Sequence, residues 1–465
     1  MTPPTASTRA ANPERLAGLR RFCGGAVYLP GDPQYDDARR PWNLRADDRP
    51  AAVAYPAFPD EVAELVRGAA AAGLRVAPQG TGHGAPPLSG QLGEAVLLRT
   101  SAMTEVRIDA ANRTARVGAG VLWGDVISRV GAARLACRHM SSPSVGVVGS
   151  SLGGGISWYG RAHGLQCSAV TAVEVVLADG SIVRATDEQN SDLLWAARGG
   201  GGGFGVVTAM EFDLLPITTP YAGMLAWDWR HSLEVADTWS RWAATAPDEV
   251  TSILRLVEAP DEPWLPAAVR GRSLVVIDGA VVADPRVAAE LMAPLRALGP
   301  DVDTFEPRPA ASLARLHLEP EAPMSAHASS TLVSALPAEG VQALVEAAGP
   351  GSGSRLMFAE VRQLGGALGR PSPRAGALDR IDGGFLVLTI GTTGRSGGWD
   401  GQRVDADRVR DAVQPWGSGS LYLSMVDDRD DERRAVPGGH WDRLAAIRAA
   451  ADPDGLFVLP HSGSR

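Results

Sequence analysis

Between Val106 and Gly120, apolar and charged side chains alternate on both sides of Asn112. A period of two broken by a turn residue predicts a β-hairpin. A second hairpin is predicted in "SAVTAVEVVLADGSIVRAT", folding back at Asp179-Gly180, a pair suited to a tight turn. Upstream the period changes. The run "AAVAYPAFPDEVAELVRGAAAAGLRVAPQG" reads as strand, turn, helix and strand. This is a βαβ-like unit with Asp60 as helix N-cap and Gly73 as C-cap. A short helix is predicted around "PERLAGLRRF".

After Pro216 the pattern becomes strand-rich. "MLAWDWR", "TSILRLVEA", "SLVVIDGAVV", "RLMFAEVRQL" and "GGFLVLTIG" read as strands, with "PRVAAELMAPLRAL" and "PAEGVQALVEAAG" as helices between them. One large antiparallel sheet with helices on one face accounts for this order. "GGHWDRLAAIRAAADPDGLF" predicts a closing amphipathic helix that stops at Asp452-Pro453. The fold class is therefore α+β. A first domain is expected over residues 1–215, a second over 216–417 and a C-terminal segment over 418–465. No internal repeat is visible.

Composition narrows the partners. With 465 residues, 45% hydrophobic and 21% charged, the chain can build two or three cores. A net charge of −9 and no arginine-rich run argue against nucleic acid. All 44 basic residues are arginine, which removes a Walker A lysine and a Schiff-base lysine together. Cys23, Cys137 and Cys167 lack C-x-x-C spacing, and the eight histidines form no close pair, so neither disulfides nor a metal centre are expected. No apolar run approaches the ~20 residues of a membrane helix. The stretch after Arg20-Arg21 is too short and broken for a signal segment, and a cytoplasmic protein is the expectation.

Three glycine-rich stretches then change the picture. They lie at 80–90, within "RVAPQGTGHGAPPLSG", at 141–165 and at 192–208. None opens a Rossmann helix with an acid about 20 residues on. Each glycine adds roughly 0.5–1 kcal/mol of unfolded-state entropy relative to alanine. Surface turns explain one such loop. Three, separated by hairpins, make sense where backbone N–H groups donate to an extended, phosphate-bearing cofactor.

"PGDPQYDDARRPWN", "APQGTGHGA", "SSPSVGVVGSSLGGG" and "DLLWAARGGGGGFGVVTAMEF" stand in the order and approximate spacing of the berberine-bridge-enzyme-like flavoproteins, which the chain resembles. These belong to the vanillyl-alcohol-oxidase superfamily, with a PCMH-type FAD-binding domain. "FAEVRQLGGALGR" resembles the substrate-domain strand of the bacterial members, and "WDRLAAIRAAADPDGLF" their C-terminal element. The resemblance implies a two-subdomain FAD-binding domain closed by the C-terminal tail, and a substrate domain whose sheet covers the isoalloxazine.

By that resemblance His83 attaches covalently to the flavin 8α-methyl, while Gln79, Gly80, Thr81, Gly82 and Gly84 donate to the diphosphate. A histidine that only hydrogen-bonds FAD is the alternative. Many relatives add a cysteine in C-P-x-V-G. Here that run is Ser142-Pro143-Ser144-Val145-Gly146, and a serine cannot form the thioether, so one covalent link is expected. Val145 falls where the family gates oxygen, and valine there resembles the oxidases; a core valine is the other reading. Gly149, Gly153, Gly154, Gly155 and Leu165 belong to the second cofactor stretch, and Val207 would meet the adenine end.

The catalytic base departs from the family's Y-x-N-[YF], since the run is Tyr422-Leu423-Ser424-Met425 and methionine takes no proton. Tyr422, Glu360 and Tyr159 are the candidate bases, or the substrate is not a simple alcohol. Glu360 and Arg362 share a strand face, turned either to the flavin or to solvent in a salt bridge. The twelve tryptophans, Trp227, Trp229 and Trp416 among them, hint at an aromatic-lined cavity, with the core the expected place for most of them. "GSSLG" matches G-x-S-x-G at Ser151, but "GGISWYG" is a poor helix start, against a nucleophile elbow. The expected function is an FAD-dependent oxidase, a monomer or homodimer, moving a hydride from a secondary metabolite, sugar or amine to flavin N5, with O2 as acceptor. A flavin protein that binds a small molecule without turnover is the alternative.

Overall fold

The computed structural model describes residues 13–394 and 397–461 and arranges them as three sheets. The first contains β1 (Val27–Tyr28), β2 (Ala52–Ala54), β3 (Arg75–Gln79) and β4 (Ala95–Arg99) in the order β1-β2-β4-β3. Strands β2 and β3 run parallel to β4, which lies between them, and helix Pro59–Ala72 makes the crossover. This is the βαβ unit with a strand inserted. Its start differs from the expectation: Phe58 is the N-cap and Pro59 the first helical residue, leaving Asp60 in the first turn. Proline's fixed φ and missing N–H suit that position. Gly73 does end the helix, at φ 74°.

The second sheet takes β5 (Val106–Asp109), β6 (Thr114–Gly118), β7 (Val170–Val176), β8 (Ile182–Ala185) and β9 (Val206–Asp213) in the order β5-β6-β9-β7-β8. Both predicted hairpins are present, and β9 joins them by pairing antiparallel with β6 and β7. Trp123 and Phe212, buried between this sheet and the first, meet edge to face at 5.8 Å.

The third sheet is antiparallel throughout. It contains β10 (Tyr221–Asp228), β11 (Val250–Glu258), β12 (Ser273–Val281), β13 (Val302–Asp303), β14 (Glu306–Pro307), β15 (Ala326–Val333), β16 (Phe358–Gln363) and β17 (Phe385–Thr392). The order is β13-β10-β12-β11-β16-β17-β15, with β14 also on β10. Side chains alternate across a strand. Leu225, Trp227, Leu254, Ile277, Val361 and Val387 point to one face, covered by helices Ser232–Thr245, Pro285–Arg296, Ala338–Ala348 and Gly398–Val413. The opposite face turns Ala222, Ile253, Leu332 and Leu386 toward Ile156, Trp158 and Leu165 of the first half. Of the three tryptophans singled out, Trp227 and Trp416 pack into the helix-covered core, the place expected for most, and Trp229 sits in a short turn at the strand end.

The C-terminal helix His440–Ala451 ends before Asp452-Pro453, and the chain then returns to the first sheet. Val76 N–H donates to Leu456 O (2.9 Å), and Val458 N–H donates to Val76 O (2.9 Å). Asp452 holds the turn by accepting from the N–H groups of Leu456 (2.7 Å) and Phe457 (2.8 Å). No helix among the described residues is long and apolar enough to cross a membrane. Asp452→Ala removes two charge-assisted bonds and is expected to lower stability by about 1.5–3 kcal/mol. Urea unfolding measures the loss, and limited proteolysis within residues 453–459 should accelerate with it.

Candidate cofactor and active site

At the carboxyl end of β3 the chain passes from Gln79 into the Gly80–Gly84 loop. Gly82 has φ 83°, and a Cβ there would stand 2.6 Å from Pro41 Cβ, so only glycine fits. The neighbouring segment clamps this loop: Trp42 N–H donates to Thr81 O (2.9 Å) and Asn43 N–H to Gly82 O (3.2 Å). The Trp42 indole stacks on the His83 ring, 4.0 Å between centroids and 13° between planes. His83 Nδ1 lies 2.7 Å from Thr81 Oγ1, and Nε2 lies 3.4 Å from Ser144 Oγ. Enclosure of the ring pushes its pKa down to about 3, so it is neutral at physiological pH.

The second glycine stretch runs beside the first. Val145 O accepts from Trp123 N–H (3.0 Å), and Gly146 precedes helix Val147–Leu152. Ser151 lies inside that helix, fully buried, which removes it as a hydrolase nucleophile at a strand-to-helix turn. Ser142 Oγ is 3.0 Å from Ser144 Oγ. At Gly154 (φ 113°) a Cβ would meet Leu378, and at Gly155 (φ 79°) it would meet Gln166. Tyr422 OH accepts from Gly155 N–H (2.9 Å), and Ser424 OH donates to Gly153 O (2.8 Å). Leu165 packs in a buried cluster with Tyr422 and Leu378, and Val207 is a buried β9 residue paired with Val175.

These residues fit a flavin dinucleotide. Gly84 and Gly149 have nothing within 4 Å of where a Cβ would stand, which leaves their backbone approachable. The Gln166 amide, fully buried against Gly155, has neither its oxygen nor its nitrogen partnered. Buried polar atoms left this way belong next to a ligand or ordered water.

Across from the loops, the face of the third sheet turned toward the first half carries a buried charge network. His317 bridges two carboxylates, with Nδ1 2.8 Å from Asp278 Oδ2 and Nε2 3.0 Å from Glu360 Oε2. Arg255 pairs with Asp278, and Arg362 with Glu360. Burial alone would raise the Glu360 pKa, but Arg362 and His317 outweigh it and hold it at about 2. Burial and Arg255 oppose charge on His317, yet Asp278 and Glu360 raise its pKa above the ordinary value. The Glu360–Arg362 pair is thus neither solvated nor free. Leu318, next to His317, has φ 54°, an uncommon conformation for a residue with a side chain. Beyond it, Glu319 accepts from Ser141 OH (2.6 Å), one residue before the 142–146 run. Tyr159 is fully buried, its hydroxyl unpartnered and its pKa raised by burial. Burial likewise pushes Tyr422 up to about 12.

His317, Asp278 and Arg255 were not anticipated. The available signal was a lone aspartate in the apolar strand "SLVVIDGAVV", since a charge there must be paired or face a site.

Residues 50–186 match the FAD binding domain family. Over its length the chain has the fold of the BBE-like 1 protein of Physcomitrella patens, which superposes with TM-score 0.83 at 22% identity, covering 96% of this chain and 98% of that one. Among curated relatives, the glucooligosaccharide oxidase of Sarocladium strictum is 33% identical over 221 residues, 46% of this chain and 44% of that protein. The (R)-6-hydroxynicotine oxidase of Paenarthrobacter nicotinovorans is 31% identical over 204 residues, 44% of each. The match thus spans less than half the length of these two relatives.

Removing one partner from a buried ion network costs about 3–5 kcal/mol, and His317→Asn is expected to do so at pH 6. Because the folded pKa of His317 is raised, its contribution is complete below the unfolded value and fades as pH rises through the folded one. Urea titrations of both proteins should show the gap narrowing in alkali. A gap independent of pH would mean that the ring is not charged.

Proposed function

We propose that the chain is an FAD-dependent oxidase that takes a hydride equivalent from a small organic substrate and passes the electrons to dioxygen, releasing H2O2. The observation that carries this reading is His83. It is neutral, held in plane by Trp42 and between two hydroxyls, at the open end of a glycine loop in the FAD-binding domain. A neutral imidazole has the lone pair that covalent attachment to the flavin requires, so His83 is the single tether, with Ser142 unable to add a second. When bound, FAD supplies the two-electron oxidant. The chain's residues hold it through the Gln79–Gly84 loop and Gly153–Gly155, and close the substrate side with the charged sheet face.

The substrate class follows from the proton. Glu360 is engaged by Arg362 and His317, burial raises the Tyr159 pKa, the Tyr422 hydroxyl is engaged by Gly155 N–H, and Met425 takes no proton. An alcohol must lose its proton as the hydride leaves, whereas a neutral amine need not. This arrangement favours an amine over a sugar or other alcohol, in keeping with a nicotine oxidase among the relatives.

Acid precipitation should leave yellow flavin in the pellet of the wild-type protein and in the supernatant of His83→Ala. Flavin in the wild-type supernatant removes the covalent link. In a second measurement, photoreduced protein is mixed with air-saturated buffer, and Val145→Leu should reoxidise more slowly than wild type. Equal rates would remove Val145 as the oxygen gate. The same missing base favours one other reading, a flavin protein that binds without turnover. Anaerobic mixing with a panel of amines separates the two, because loss of the oxidised flavin absorbance requires turnover.

A further inference from the structure

Five arginines are buried in the described structure, and four have evident reasons to be. Arg198 pairs with Asp187, Arg255 with Asp278 and Arg362 with Glu360. Arg161 donates to the carbonyls of Val250, Leu364, Ala246 and Pro247. Arg99 has no such set. It is 9% exposed, forms no ion pair with a described carboxylate, and its Nε has no hydrogen-bond partner. The guanidinium reaches only the Gln79 amide oxygen and the Tyr55 hydroxyl, two neutral groups. Burial lowers its pKa, opposed by the Tyr55 hydroxyl and by no carboxylate. A buried cation without a counter-charge costs several kcal/mol, so something anionic is missing from its surroundings.

Its position says what. Arg99 ends β4, directly opposite Gln79 at the end of β3, and Tyr55 follows the end of β2. Tyr55, Arg99 and Gln79 thus mark the carboxyl ends of three neighbouring parallel strands, the edge where ligands of parallel sheets bind. The Gly80–Gly84 loop leaves from that same edge, and Gln79 Oε1 lies 3.0 Å from where a Cβ of Gly82 would stand. A cradle of backbone N–H groups carries only partial charges. In a chain without lysine, a full cation must come from arginine, whose planar fork matches phosphate oxygens.

We infer that Arg99 is the counter-charge for the diphosphate of the dinucleotide, set at the carboxyl edge of the small parallel sheet and oriented by Gln79 and Tyr55. The inference rests on the FAD reading above and concerns residues outside the flavin ring and its tether.

The test uses the full chain carrying His83→Ala, in which flavin binds reversibly. Quenching of flavin fluorescence measures affinity for FAD and for riboflavin, which has the ring but no phosphate. Adding Arg99→Met should weaken FAD about ten- to a hundredfold, the range for a hydrogen bond to a charged group, and leave riboflavin unchanged. Arg99→Lys should recover most of the loss. Should the methionine variant not fold, Arg99→Gln is read by the same ratio of the two affinities. An unchanged ratio, whether both ligands weaken together or neither does, overturns the inference and leaves the FAD reading standing. A His83→Ala chain that binds neither flavin overturns both.

Discussion

The segment Pro41–Leu44 holds the molecule's working parts in register. On one side its backbone donates to Thr81 O and Gly82 O of the glycine loop. On the other, Leu44 N–H donates to Met324 O (2.9 Å) and Met324 N–H donates back to Trp42 O (3.1 Å). Asn43, almost fully buried, extends the link: its Oδ1 accepts from Ala326 N–H at the start of β15 (3.2 Å). Asp427 of the C-terminal segment accepts from Ala328 N–H on the same strand (2.8 Å). Four residues therefore tie the loop bearing His83 to the third sheet, next to where the C-terminal segment joins it. Backbone groups in such a seam must be paired or they lose their solvation without return. The separation between glycine loop and sheet face is consequently a fixed quantity rather than a hinge.

That fixed gap also holds His83 in place. Its ring meets an aromatic face on one side and hydroxyls at both nitrogens, so its plane is set before any ligand arrives. Trp42 is itself anchored, its indole N–H donating to Glu321 O (3.1 Å). Glu321 follows Glu319, which grips Ser141, and His317, which sits in the charge network. The loop 317–324 thus touches the anchor, the second glycine stretch and the sheet face within eight residues. The left-handed backbone at Leu318 falls inside it, where strain of this kind is tolerated because several contacts over-determine the conformation.

Legibility in the sequence divided along physical lines. The two hairpins, the βαβ unit and the third sheet's apolar strands declared themselves because burial on one face leaves a period of two. Strand β15, "AHASSTLV", did not, since serine, threonine and histidine occupy both of its faces. Helix Gly398–Val413 was hidden similarly, because it buries Gln402 and Asp405 alongside its apolar residues. In the glycine loops, the positive φ and crowded Cβ at Gly82, Gly154 and Gly155 demand glycine, which made those stretches stand out in the sequence. His317 and Arg99 did not stand out, because their meaning depends on partners brought from distant strands. Trp227 and Trp416 were left open between cavity and core for a related reason: large aromatic surface signals burial, and which face buries it depends on register.

The charge balance of this sheet face bears on what the site can do. Arg255, Arg362 and His317, whose pKa its carboxylate neighbours raise, meet Asp278, Glu360 and Glu319 within one cluster. Its value lies in being set in advance: oriented charges that need not reorganise as charge shifts in a neighbouring reaction are worth more than mobile ones in water. The loss of a proton-accepting side chain at Met425 is then consistent with the rest of the site. The face between Asp278 and Arg362 is therefore dry and electrostatically fixed, with each buried carboxylate held by a cation.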